Sequence, residues 1–141
     1  MRAVLDANVL ISAALSARGA PGLLLAEWRR GAFDLVVSPM LLAEVRRALG
    51  YPKLARRVST EDADAYVTWL GRMALVAPDP ADPPPVRSED PNDDYLVVLA
   101  AAERAVIVSG DAHLAALACR IPVRSPAEFL AEVAEDAPPR S

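Results

Sequence analysis

The spacing of its short apolar runs constrains this chain more than any other feature. Ala3-Val4-Leu5, Leu35-Val36-Val37, Leu75-Val76 and Val106-Ile107-Val108 are too short for buried helices, and Pro122-Val123-Arg124 adds a fifth, weaker run. The residues between them carry apolar positions at helical intervals, as in the stretch from Met40 to Leu49, where Leu41, Leu42, Val45, Ala48 and Leu49 share a face. Strands that alternate with helices pack as a parallel sheet with helices on both faces. The expected fold class is α/β, with a central parallel sheet of four to five strands flanked by helices as an α/β/α sandwich.

Start and stop signals divide the chain further. Ser38-Pro39 and Ser125-Pro126 each join a capping hydroxyl to a proline at the first helical position, and Ser59-Thr60 opens a helix through Met73. Glu61, Asp62 and Asp64 suit the positive end of that helix. Gly31 ends a helix from Leu23 to Arg30, and Ala17 to Gly22 reads as a break before it. The proline-rich stretch from Ala77 to Glu89 can only be a loop. The segment beyond that loop is too short to fold alone, so residues 1–134 are expected to form one domain, with 135–141 a frayed tail.

Composition narrows the setting. The chain has 141 residues, 53% of them apolar, and no apolar run approaches the ~20 residues of a membrane span. A single cysteine, Cys119, cannot form an internal disulfide, and no signal peptide is read at the start; both fit a cytoplasmic protein. Residues 1–60 hold nine Lys/Arg against four Asp/Glu, whereas residues 61–141 hold six against fifteen. A basic first half suits an anionic partner, and an acidic second half suits cations.

Four acids occupy related positions. Asp6 follows the first strand, Asp111 follows the Val106–Val108 strand across Ser109-Gly110, and Glu44 lies in the helix after the second strand. Asp94, with Asp93 and Asp90 close by, opens the helix that precedes Val106. In a parallel sheet the carboxyl ends of strands and the amino ends of helices share one edge, so these acids can converge there. Clustered carboxylates repel one another unless a cation neutralises them. An oxygen-only donor set suits Mg²⁺ or Mn²⁺ rather than zinc, and carboxylate-held Mg²⁺ with open water positions is apparatus for phosphodiester hydrolysis.

Leu5-Asp6-Ala7-Asn8-Val9-Leu10, Glu44 after Ser38-Pro39, Asp90-Pro91-Asn92-Asp93-Asp94 and Ser109-Gly110-Asp111 together resemble a PIN domain, closest to the VapC-like toxin ribonucleases of prokaryotic toxin–antitoxin systems. The resemblance runs from Met1 to about Phe129. It implies a Mg²⁺- or Mn²⁺-dependent endoribonuclease acting on single-stranded RNA, a small antitoxin as partner, and a homodimer. The acidic quartet maps onto Asp6, Glu44, Asp94 and Asp111, with Asp93 as alternative third ligand and Asp90 more distant. Asn8 and Ser109 correspond to polar groups that orient the carboxylates. Arg46, Arg47 and Lys53, from the basic first half, are the expected RNA contacts. The dimer face is expected among the apolar helices between Leu23 and Met73. His113 and the aromatic residues Trp28, Tyr51, Tyr66 and Trp69 read more simply as surface and core residues.

Two other readings stay open. A phosphatase with Asp6 as nucleophile, of the haloacid-dehalogenase-like kind, wants a second aspartate where Asn8 stands and a downstream lysine; no lysine follows Lys53. A PIN-like module that binds RNA or protein without cutting usually loses an acid, and all four positions are filled here.

Overall fold

Arg2–Leu5 forms β1, whose residues Ala3, Val4 and Leu5 are completely buried because a strand runs along each side of it. The neighbours are β2 (Asp34–Val37) and β4 (Val106–Val108), both parallel to β1, with Ala3 opposite Leu35 and Leu5 opposite Val108. Two-residue strands β3 (Leu75–Val76) and β5 (Val123–Arg124) complete a five-stranded, all-parallel sheet ordered β3-β2-β1-β4-β5. This computed structural model describes residues 1–81, 94–118 and 120–136; Asp90, Asp93, Cys119, most of the proline-rich stretch and the last five residues lie outside them.

The helices are α1 (Ala7–Leu15), α2 (Ala20–Arg29), α3 (Pro39–Leu49), α4 (Pro52–Ala55), α5 (Thr60–Met73), α6 (Asp94–Glu103), α7 (Ala112–Ala115) and α8 (Pro126–Asp136). α1 packs on α2 and α3, and α3 on α5, while α6 packs on β1 and β4; the right-handed crossovers general to parallel sheets put the first group on one face and α6 on the other. α6 is buried from Leu96 to Ala100, so its apolar residues run almost all round it. α8 returns to the first face and packs on α2, bringing the ring of Phe129 edge-on to Phe33 at 5.1 Å. Tyr66, Trp69 and Trp28 pack against the core together, and the Tyr66 hydroxyl donates to the Leu10 carbonyl at 2.7 Å. Tyr51 is exposed instead.

Element boundaries differ from the sequence reading in three places. α2 begins at Ala20, so Pro21 lies in its first turn, where a missing N–H costs nothing. Gly22 is what lets α2 start so soon after α1: a Cβ there would stand 2.4 Å from the Ser16 carbonyl oxygen. α8 continues to Asp136, two residues past the expected end of the domain. α7 spans only Ala112–Ala115, although the sequence alone reads as a helix from Ala112 to Ala118. Among the described residues no single helix is long and apolar enough to cross a membrane.

Candidate active site

The strand order reverses direction at β1. The chain moves from β1 to β2 and β3 on one side, then crosses to β4 and β5 on the other. Open α/β sheets leave a crevice at the carboxyl ends of the strands at such a point, here between β1 and β4. Asp6 and Ser109 are the residues that emerge on its two sides.

Asp6 is 5% exposed, the only buried carboxylate among the described residues. Its N–H continues the sheet by donating to the Val108 carbonyl at 3.0 Å, which sets it beside Ser109. One carboxylate oxygen caps α1, accepting from the Val9 N–H at 2.8 Å; the other accepts from the Ser109 hydroxyl. Ser109 is 2% exposed, and its Oγ also accepts from the Asp111 N–H at 2.9 Å. Its backbone N–H donates to the Arg124 carbonyl at 2.9 Å, tying this turn to β5. Asp111 in turn caps α7, accepting from the His113 N–H at 2.7 Å.

Burial raises the Asp6 carboxyl above its ordinary value; its two hydrogen bonds oppose the rise, and the negative charges of Asp111 and Glu44 add to it. Asp6, Asp111 and Glu44 therefore share one electrostatic neighbourhood. Glu44 reaches it from α3 and accepts a hydrogen bond from the Tyr95 hydroxyl on α6. Asp94 precedes Tyr95 and opens α6 on the same edge. Among the described residues no three Asp, Glu, His or Cys side chains already enclose a metal position. The donor set still suits a hard divalent ion, because it is oxygen-only and the charges acting on Asp6 are both negative.

Other expected residues are placed differently. Asn8 is exposed, and its side chain makes no hydrogen bond among the described residues; Ser109 and the Val9 N–H hold Asp6 instead. Arg46 is committed to an ion pair with Asp64 on α5. Arg47, in the last turn of α3, and Lys53, on α4, are both exposed and lie beyond Glu44 along the chain. Asp93 and Asp90 lie outside the described residues. Two contributors escaped the sequence reading. Tyr95 follows Asp94 in the helix before Val106, and the sequence alone gives it no role. Asp79, from the loop after β3, accepts from the Met40 N–H at 2.9 Å at the start of α3, while its other oxygen is buried with no partner among the described residues. A carboxylate three residues past a strand was the available signal for Asp79.

An open parallel sheet with carboxylates gathered at its topological switch point defines an α/β domain built for charge-dependent chemistry at that edge. The PIN domain family model matches residues 2–113, and the chain belongs to the PIN domain family. Members of that family are generally nucleases that use divalent metal ions. Solved structures carry the same fold. PAE2754 from Pyrobaculum aerophilum is 16% identical with a TM-score of 0.65, covering 96% of this chain and 91% of its own. VapBC2 from Rickettsia felis, solved bound to a DNA fragment from its promoter, is 15% identical with a TM-score of 0.59, covering 89% and 98%. A PilT N-terminus domain protein, SSO1118 from Sulfolobus solfataricus P2, is 14% identical with a TM-score of 0.58, each chain covered completely. No match to a curated protein reaches significance.

Proposed function

We propose that this PIN domain is a Mg²⁺- or Mn²⁺-dependent endoribonuclease that hydrolyses single-stranded RNA, and the toxin of a toxin–antitoxin pair. The observation that supports it most is the buried Asp6 at the switch point, acted on by two further carboxylates. Asp6, Glu44, Asp111 and Asp94 are the residues to hold a divalent ion, with Asp93 the alternative to Asp94. A bound ion supplies an activated water and charge stabilisation for the phosphodiester. The chain's own residues do the positioning. The Ser109 hydroxyl and Val9 N–H fix the two oxygens of Asp6, and the Tyr95 hydroxyl fixes Glu44.

Purified protein should cut single-stranded RNA with Mg²⁺ or Mn²⁺ and lose the activity in EDTA. Asp6→Asn should lower turnover by at least ~10²-fold. Cleavage that persists in both would overturn the assignment of this site. The likeness to VapBC2 supports a small antitoxin as partner, and cytoplasmic action follows from an RNA target. A homodimer belongs to the same reading. Leu23, Met40, Tyr51, Met73, Leu75 and Val76 are exposed apolar residues on or beside the helices expected to form its face. Light scattering at micromolar concentration tests it, and a monomer would remove that part of the proposal.

A further inference from the structure

A cleft of about 330 Å³ opens next to the acids, between the carboxyl ends of β4 and β5 and the first turn of α8. It begins at Ser109 and Gly110, the turn that joins Asp6 to Asp111, so cleft and acids are continuous. A Cβ on Gly110 would meet nothing within 4 Å, so the space beside this turn is open. Ala115, Ala118 and Val123 give the cleft an apolar lining.

Its polar wall carries two charged groups, Arg124 and Glu128, beside Ser109 and Ser125. The Arg124 Nε donates to Glu132 at 2.5 Å and its Nη1 to the Val123 carbonyl at 3.0 Å, which holds the guanidinium while other N–H groups remain. One Glu128 oxygen accepts from the Ser125 N–H at 2.9 Å, and a carboxylate, with about four acceptor sites, can accept from a further donor. Hydrogen bonds from the Ser125 backbone and hydroxyl hold the Glu128 carboxyl below its ordinary range, so it is an acceptor only.

We infer that this cleft is a nucleobase subsite, which takes the base adjoining the scissile phosphate and favours bases with an exocyclic amino group over uracil. The inference rests on the ribonuclease reading and specifies its substrate. Single-stranded RNA is recognised by splaying bases into pockets and bonding their edges, and a pocket of this size suits one base with its ribose. The carboxylate of Glu128 disfavours phosphate as occupant but accepts well from an amino group. Uracil lacks that amino group and offers only its N3–H, flanked by two carbonyl oxygens that the carboxylate repels.

The test is a titration of the full chain with CMP, AMP, GMP and UMP, followed by amide chemical shifts. The three amino-bearing nucleotides should shift Ala115, Ala118, Ser125 and Glu128, with UMP at least fivefold weaker. Ala118→Trp should abolish these shifts while the remaining spectrum keeps its dispersion. Glu128→Gln, which can still accept from the Ser125 N–H, should bring UMP level with the others. Unmoved cleft amides, equal binding of UMP to the unaltered chain, or shifts that survive Ala118→Trp would each overturn the inference. RNA cleavage is measured separately: cutting without cleft binding removes the subsite alone, whereas cleft binding without cutting removes the nuclease reading and leaves a nucleotide site with no scissile phosphate beside it.

Discussion

Burial and two like charges oppose the ionised form of Asp6, which makes this proposed metal ligand a liability for folding wherever it is charged. Its folded pKa is raised, so the native chain holds this proton where the unfolded chain has released it. Stability from the group is complete below the ordinary carboxylate range and is lost as pH rises through the raised value. Asp6→Asn removes that loss. In EDTA the variant is expected to melt above the unaltered protein at about pH 8, with the gap closing toward about pH 4. Millimolar Mn²⁺ should reverse the order by binding only the intact site; calorimetry reads both. Tyr95→Phe is the second residue-level case. It removes one hydroxyl and keeps the ring, and losing an outer partner of a ligand typically costs about 10–100-fold in affinity or activity. A titration of Mn²⁺ binding, alongside turnover, measures it; unchanged values in both would show that Glu44 needs no such support.

α3 shows how an element delivers a residue. Ser38 at its start is completely buried, accepts from the Leu41 N–H at 3.3 Å and orients the helix that presents Glu44. Ser59 caps α5 in the same way at 3.0 Å but near the surface, and α5 carries none of the quartet. Each alanine substitution should cost about 1 kcal/mol in urea denaturation. Turnover should fall more for Ser38→Ala than for Ser59→Ala, because only the first loosens Glu44. Caps of this kind were legible in advance, since a hydroxyl before proline or before a run of acids is a local signal. The start of α2 was not: Gly22 is there because the carbonyl of Ser16 closes on it, a contact visible only after α1 and α2 have packed.

For the whole molecule the instructive piece is α8. The family match ends at residue 113, yet Phe129 is completely buried against Phe33 and belongs to the one core. Phe129→Ala should therefore cost about 3–5 kcal/mol, as for any core aromatic. A loss below about 1 kcal/mol in urea would mark α8 as an appendage.

The order of apolar runs and caps already implied a parallel α/β sheet, because strand length, helical spacing and capping are written over a few adjacent residues. It also implied that acids separated along the chain would meet at one edge, since parallel topology puts all strand carboxyl ends together. Which groups would touch was not legible. Asn8, two residues from Asp6, faces solvent, while Ser109, over a hundred residues away, bonds to it. Arg46 is taken by Asp64, and Glu44 by Tyr95. Such partners depend on strand order and on helix rotation, which arise from packing across the core, and that packing has no local signature in the chain.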